Sequence, residues 1–320
     1  MKRRRWLAVG VAAGLVGLGL TQSTKGRLRA RIVEAQRRGL ALRAQQPPEQ
    51  RDIRFKPGSD VALDVFAPSG ATGCPVVVNI HGGGWMFFPR WLFTFSAPPL
   101  VSAGLVVVLP DYTLYPHAQA GQMADEVAAA VAWTIEHIAA YGGDPRRVHL
   151  QGHSAGAQLA ALVALDPRWL AAYGHSPAEI AGLAVSGAVM DVEALQDYWQ
   201  RRSPPGVSVG PQWSAFGHSR AGQREFSPVN YVRAGAPPTL VAHGERDRLV
   251  PGHIPRAFYE ALVAAGVDAT WRAYPGKGHV DTLFDAALDA DAPLHRDLLA
   301  LIARTAPSGK EERLGQGSAF

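Results

Sequence analysis

The sequence predicts an α/β fold: a mostly parallel central sheet flanked by helices. Short runs rich in Val, Leu and Ile recur at residues 75–80, 105–109, 148–150, 183–185 and 239–242, apolar throughout as strands covered on both faces are. Between them lie helix-like segments at 120–140, 155–165, 254–265 and 294–304. Strand and helix alternating in this order argue right-handed crossovers within one sheet, and 320 residues suffice for one large core.

Residues 61–66 alternate apolar and polar side chains, as a half-buried edge strand does. A further run at 269–274 precedes a glycine-rich turn. One stretch breaks the rhythm. Residues 194–236 are rich in Pro, Gly, Ser and aromatics (Tyr198, Trp199, Trp213, Phe216, Phe226), without a persistent period. They are too long for a plain connection and read as a small lid or cap insertion.

The net charge of +5 is unevenly placed. Residues 1–43 carry eleven Lys/Arg and one acid, Glu34. Of 32 basic and 27 acidic residues in all, 21 and 26 remain, a net charge of −5 for the rest. A folded domain of that sign disfavours a nucleic-acid partner. Lys2 to Arg5 followed by the uncharged apolar run from Trp6 to Leu20 reads as an export signal or an uncleaved anchor. The expected location is therefore exported, or anchored in a bacterial inner membrane facing the periplasm, with Lys25 to Arg43 beside acidic headgroups. The expected organisation is a signal or anchor (1–24), a basic linker or helix (25–51), the α/β domain (52–306) with the cap inserted at about 194–236, and a disordered tail (307–320). The single cysteine, Cys74, excludes an intramolecular disulfide and is expected to be a small buried apolar residue.

The chemistry-bearing residues sit at strand ends. Gly152-His153-Ser154-Ala155-Gly156 fits the G-x-S-x-G elbow, with a strand before it and an Ala/Leu-rich helix after it. Its glycines permit the tight turn that lifts a serine hydroxyl from the end of a strand. His81-Gly82-Gly83-Gly84-Trp85 follows the strand at 75–80, and three glycines there free backbone amides to face a developing oxyanion. A serine hydroxyl needs a base, and the base an orienting acid. Asp247 and His279 each follow a strand-like run, in the chain order Ser154, Asp247, His279. Glu245 and Asp191 are alternative acids, and His253 is an alternative base. His81 is expected to brace the glycine loop, Asp111 to make a loop hydrogen bond and Asp144-Pro145 to shape the turn before the elbow strand; Trp85 either packs or lines an acyl pocket. No Walker loop, dinucleotide fingerprint or zinc-ligand cluster is present, so no cofactor and no metal is implied.

Together with Asp111-Tyr112-Thr113-Leu114-Tyr115-Pro116, Gly142-Gly143-Asp144-Pro145, His243-Gly244-Glu245-Arg246-Asp247 and Gly278-His279, these motifs resemble those of one family branch. That is the HGGG-type carboxylesterase and lipase branch of the α/β-hydrolases, on the side of the kynurenine formamidases, prenylcysteine methylesterases and bacterial esterases. The resemblance spans about residues 52 to 304. It implies the α/β-hydrolase fold and a small-molecule carboxylic ester cleaved through an acyl-enzyme on Ser154. It further implies oxyanion donors at the amides of Gly83, Gly84 and Ala155. Amide hydrolysis of an N-formylarylamine is the alternative within enzymes, and a binding protein on an inactive hydrolase scaffold the alternative outside them.

Overall fold

A computed structural model describes residues 25–203, 210–217 and 219–306. Eight strands are present: β1 (Ile53–Arg54), β2 (Ala62–Phe66), β3 (Cys74–Ile80), β4 (Val106–Pro110), β5 (Gly143–His153), β6 (Ile180–Ser186), β7 (Thr239–Gly244) and β8 (Ala269–Tyr274). They form one sheet in the order β1-β2-β4-β3-β5-β6-β7-β8. The pairs β1–β2 and β2–β4 are antiparallel, and all others are parallel. The α-helices are α1 (Lys25–Gln45), α2 (Ala97–Ser102), α3 (Ala120–His137), α4 (Ala155–Leu165), α5 (Pro167–Ala171), α6 (Val192–Gln200), α7 (Arg220–Glu225), α8 (His253–Ala264), α9 (Asp281–Leu288) and α10 (Pro293–Arg304).

The two-residue period of the strands divides the core into layers. Val76, Val78 and Ile80 of β3 with Val106 and Val108 of β4 face α3, α4 and α8, through Met123, Leu159 and Phe258. Their neighbours Val77, Val107 and Leu109 face the other way, onto Leu100 of α2 and Leu298 and Leu301 of α10. Apolar residues on both faces are why these strands read as continuous hydrophobic runs.

Strand β2 departs from the expected half-buried edge: all five of its residues are buried, and β1 takes the edge. Its polar member, Asp64, is satisfied inside. Arg43 Nε donates to Asp64 Oδ2 at 2.8 Å, and Arg90 Nη2 to Asp64 Oδ1 at 3.2 Å. Strand β5 runs from Gly143, so Asp144 and Pro145 lie in its first half instead of a preceding turn, with Cys74 paired to Gly143 across a register shift. Cys74 is half-buried at the first position of β3.

The basic segment 25–51 holds helix α1 and a short 3-10 turn at Pro48–Gln50. It is seated on the domain by the buried Ala35 and by Gly39, where an added Cβ would lie 2.3 Å from Phe95 N. Gln46, within the expected basic linker or helix, is buried with its amide donating to Val65 O. Residues 194–236, expected to be without period, contain most of α6, then α7 and 3-10 turns at Pro211–Phe216 and Pro228–Tyr231. The pieces are too short for a sequence period to show. The expected signal or anchor at 1–24 and tail at 307–320 lie outside the described residues. Among the described residues no helix is long and apolar enough to cross a membrane.

Candidate active site

Ser154 stands between the C-terminal end of β5 and the first turn of α4, at φ +55° and ψ −120°. A non-glycine residue in this region is strained by about 1–3 kcal/mol and persists only where its surroundings impose it. Here they do. Ser154 N donates to Ser186 O at 3.0 Å, and Gln158 N to Ser154 O at 3.2 Å. The elbow passes so close to β3 that a Cβ on Gly156 would sit 2.2 Å from Ile80 O and 2.4 Å from His81 O. The hydroxyl-bearing turn is thus pressed beside the glycine loop, half-buried, at the head of α4.

The loop His81-Gly82-Gly83-Gly84-Trp85 leaves the end of β3. Gly83 takes φ +127° and Gly84 φ +58°, while Gly83 O accepts from Met86 N and Phe87 N. A side chain on Gly83 would lie 2.1 Å from Phe87 O. Among the described residues the amides of Gly83, Gly84 and Ala155 have no hydrogen-bond acceptor. Unpaired N–H groups in such a loop and at a helix N-terminus are the kind of donors that stabilise negative charge. His81 braces this loop: its Nδ1 is 2.9 Å from Gly82 O, and its ring stacks on Tyr112 at 4.3 Å. Tyr112 Oη in turn donates to His81 O at 3.0 Å. Burial holds the His81 pKa below its ordinary value, so the brace is neutral.

Asp247 and His279 come together, although 32 positions separate them. Asp247 follows β7 and His279 follows β8, and the parallel pairing of these strands sets both loops at one edge of the sheet. His279 Nδ1 lies 2.7 Å from Asp247 Oδ2. The other oxygen, Oδ1, accepts from Leu249 N at 2.8 Å and Val250 N at 2.9 Å. Burial alone raises the pKa of this carboxyl group. His279, through its charge and its hydrogen bond, and the Val250 amide outweigh that and hold it below the usual carboxylate range. An ionised Asp247 fixes the proton of His279 on Nδ1 and leaves Nε2 as the basic nitrogen.

The imidazole of His279 lies over Gly187, where an added Cβ would be 3.1 Å from its Cε1. Gly187 directly follows Ser186, the residue that accepts the Ser154 amide, so serine and imidazole share the ends of β5 and β6. The Ser154 hydroxyl makes no side-chain hydrogen bond among the described residues. Such contacts are often long before substrate binds.

The alternatives stand apart. Glu245 is exposed; Asp191 caps α6, accepting from Ala194 N at 2.9 Å; His253 opens α8 and is exposed. Asp111 does bind its loop, accepting from Arg90 N at 2.9 Å.

Trp85 packs. It is 3 % exposed at φ +60°, its Nε1 donates to Gln158 Oε1 at 2.9 Å, and Phe216 meets its ring edge-on at 4.8 Å. The segment expected as a cap therefore lies against the glycine loop. Two residues near the site carried no sequence signal: Gln158, which holds Trp85, and Ser186, 3.1 Å from His153 Nδ1; His243, read only as part of a motif, has its Nδ1 4.0 Å from Asp247 Oδ2.

The BD-FAE family model matches residues 63–262. The isoprenylcysteine alpha-carbonyl methylesterase of Arabidopsis thaliana is 27% identical over 265 residues, covering 75% of this chain and 58% of that protein. The esterase LipQ of Mycobacterium tuberculosis is 32% identical over 226 residues, covering 67% and 53%. The chain thus spans about half the length of the curated relatives it matches. Among solved structures, a truncated carbohydrate esterase from gut microbiota superposes with TM-score 0.67 at 20% identity, covering 79% of this chain and 94% of that one. A propionate-bound esterase of Thermogutta terrifontis gives 0.63 at 24%, covering 82% and 99%. The fold is that of the α/β-hydrolases.

Proposed function

The chain belongs to the BD-FAE family, and on that premise we propose that it is a serine carboxylesterase acting through an acyl-enzyme on Ser154. The observation that carries this reading is the 2.7 Å bond from His279 Nδ1 to the buried Asp247, which leaves Nε2 as a base at the strand ends where Ser154 stands in its elbow. The esterase relatives support ester hydrolysis as the reaction class.

In the proposed reaction Ser154 Oγ attacks the ester carbonyl while His279 Nε2 takes its proton. The carbonyl oxygen becomes an oxyanion held by the amides of Gly83, Gly84 and Ala155. Preorganised donors of this kind contribute about 3–4 kcal/mol each. The intermediate collapses, the C–O bond to the alcohol breaks, and His279 returns the proton to the departing alkoxide. Water then attacks the acyl-enzyme with His279 again as base, releasing the acid and restoring Ser154. Asp247 stays ionised throughout and balances the imidazolium charge.

Hydrolysis of p-nitrophenyl acetate by the wild-type chain and by Ser154→Ala tests this reading. The expected result is turnover by the wild type and a loss of about 10³-fold or more in the variant. Full activity in Ser154→Ala overturns it. Faster turnover of N-formylkynurenine than of any aryl ester would move the assignment to amide hydrolysis.

A further inference from the structure

Five large apolar side chains stand exposed among the described residues, and four of them are carried by two segments that pack on each other, helix α1 and the stretch after the glycine loop. Val33 (67 % exposed) and Leu40 (42 %) lie two turns apart on α1; Phe88 (40 %) and Trp91 (45 %) lie just beyond the glycine loop. The elements that carry them are joined. Gln36 donates to Leu92 O, and Gly39 lies against the backbone of Thr94 and Phe95. An aromatic ladder continues the contact inward: Phe88 to Phe93 at 6.5 Å, Phe93 to Phe95 at 5.5 Å, and Phe93 to His81 at 5.3 Å. Phe88 borders the site itself, since a Cβ on Gly83 would be 3.1 Å from its ring. The fifth exposed residue, Val263, is on α8, which packs the opposite face of the sheet from α2 and α10.

The charge around this patch states what covers it. Helix α1 contains seven basic residues and one acid, whereas the chain beyond residue 43 has a net charge of −5. Arg31 and Arg43 are drawn inward by Asp285 and Asp64, whereas Arg37 and Arg38 share the single acid Glu34 and leave a net positive charge at the surface, their side chains 70 % and 49 % exposed. Four basic residues and a fifteen-residue uncharged run, Trp6 to Leu20, precede the helix in sequence. Apolar side chains, a tryptophan and arginines on one surface suit the boundary between acidic headgroups and acyl chains.

We propose that Val33, Leu40, Phe88 and Trp91 form a surface that docks on an anionic lipid bilayer and presents the glycine loop and Ser154 to esters dissolved in it. The substrate half of this proposal rests on the esterase reading above; the docking half does not.

The test uses the full chain in a Cys74→Ser background. An environment-sensitive fluorophore is attached at Leu40→Cys, at Trp91→Cys and, as reference, at Val263→Cys. Each protein is titrated with vesicles of phosphatidylcholine and phosphatidylglycerol. The expected result is a blue shift with rising intensity at positions 40 and 91, none at 263, and a weaker response with phosphatidylcholine alone. Sedimentation with the vesicles while both probes stay in water overturns docking through this surface, as does absence of binding. A shift that follows protein concentration without lipid assigns the surface to a second copy of the chain and equally overturns it. For the substrate, Val33→Asp and Leu40→Asp are expected to keep p-nitrophenyl acetate turnover and to lose at least about tenfold on a long-chain ester held in the vesicles. Unchanged turnover of that ester in both variants overturns the substrate half. Probe shifts with no turnover of any ester by the wild type would instead overturn the esterase reading and leave docking standing.

Discussion

The imidazole of His153 lies against that of His279, with ring centroids 4.7 Å apart and planes inclined by 49°. Burial first, and the neighbouring His279 second, push the His153 pKa down to about 3. An unfolded histidine titrates near 6.5. The folded value lies below the unfolded one, so the unfolded chain binds the extra proton. The resulting stability is complete above about pH 6.5 and is lost progressively as pH falls towards 3. His153→Gln is therefore expected to remove about one proton, roughly 1.4 kcal/mol per pH unit, from the slope of unfolding free energy between about pH 6 and pH 4. Denaturant titrations at fixed pH check this, and an unchanged slope would show that His153 is not buried in its neutral form.

The last two glycines of the loop after β3, proposed as oxyanion donors, should respond differently. At Gly83 a methyl group meets Phe87 O at 2.1 Å, so the loop must move; at Gly84 nothing lies within 4 Å, although φ is +58°. Gly83→Ala is expected to lower kcat by about 10²–10³ with little change in KM, as loss of an oxyanion donor does. Gly84→Ala should cost stability of about 1–2 kcal/mol through left-handed strain and far less rate. Steady-state kinetics paired with thermal melts separate the two.

Arg90 is enclosed by acids. Its guanidinium reaches Asp52, Asp64 and Asp111, and its side chain is 7 % exposed. Asp64, fully buried, keeps one cation, Arg43, and the Asp52 amide if Arg90 is removed. Arg90→Met should destabilise the fold by about 3–5 kcal/mol, the usual cost of leaving buried charge uncompensated. Adding Asp111→Asn should recover part of that loss. Urea unfolding of the single and double variants reads both.

Asp247→Asn keeps the shape of the acid and removes its charge. The amide can no longer hold the His279 proton on Nδ1, so the basic lone pair is turned away from Ser154. The expected loss in kcat is about 10³–10⁴ with KM little changed. An activity within a few-fold of wild type would return Glu245 or Asp191 to consideration as the acid.

Much of this molecule was legible from sequence because its local and global signals agree. Helix α4 was readable to the residue, Ala155–Leu165, because an elbow fixes its start and an unbroken Ala/Leu run its length. Strands β3, β4 and β7 were found within two residues, since both of their faces are apolar. What stayed hidden depends on tertiary partners. Asp64 made β2 look half-exposed because nothing local reveals that Arg43 and Arg90 neutralise it. Pro98 and Pro99 masked α2, although prolines in a first helical turn cost little. Asp144-Pro145 looked like a turn, yet it sits in β5, where proline tolerates a register shift. At the site the motif residues were legible, whereas the approach of His243 to Asp247 and the grip of Gln158 on Trp85 exist only in three dimensions.

The most direct test of the central claim is intact-mass analysis after treatment with a fluorophosphonate, on the wild type, Ser154→Ala and His279→Ala. The account predicts a single adduct on Ser154 in the wild type, none in Ser154→Ala and strongly slowed labelling in His279→Ala. An adduct that persists in Ser154→Ala, or a folded wild type that takes no label, would contradict it.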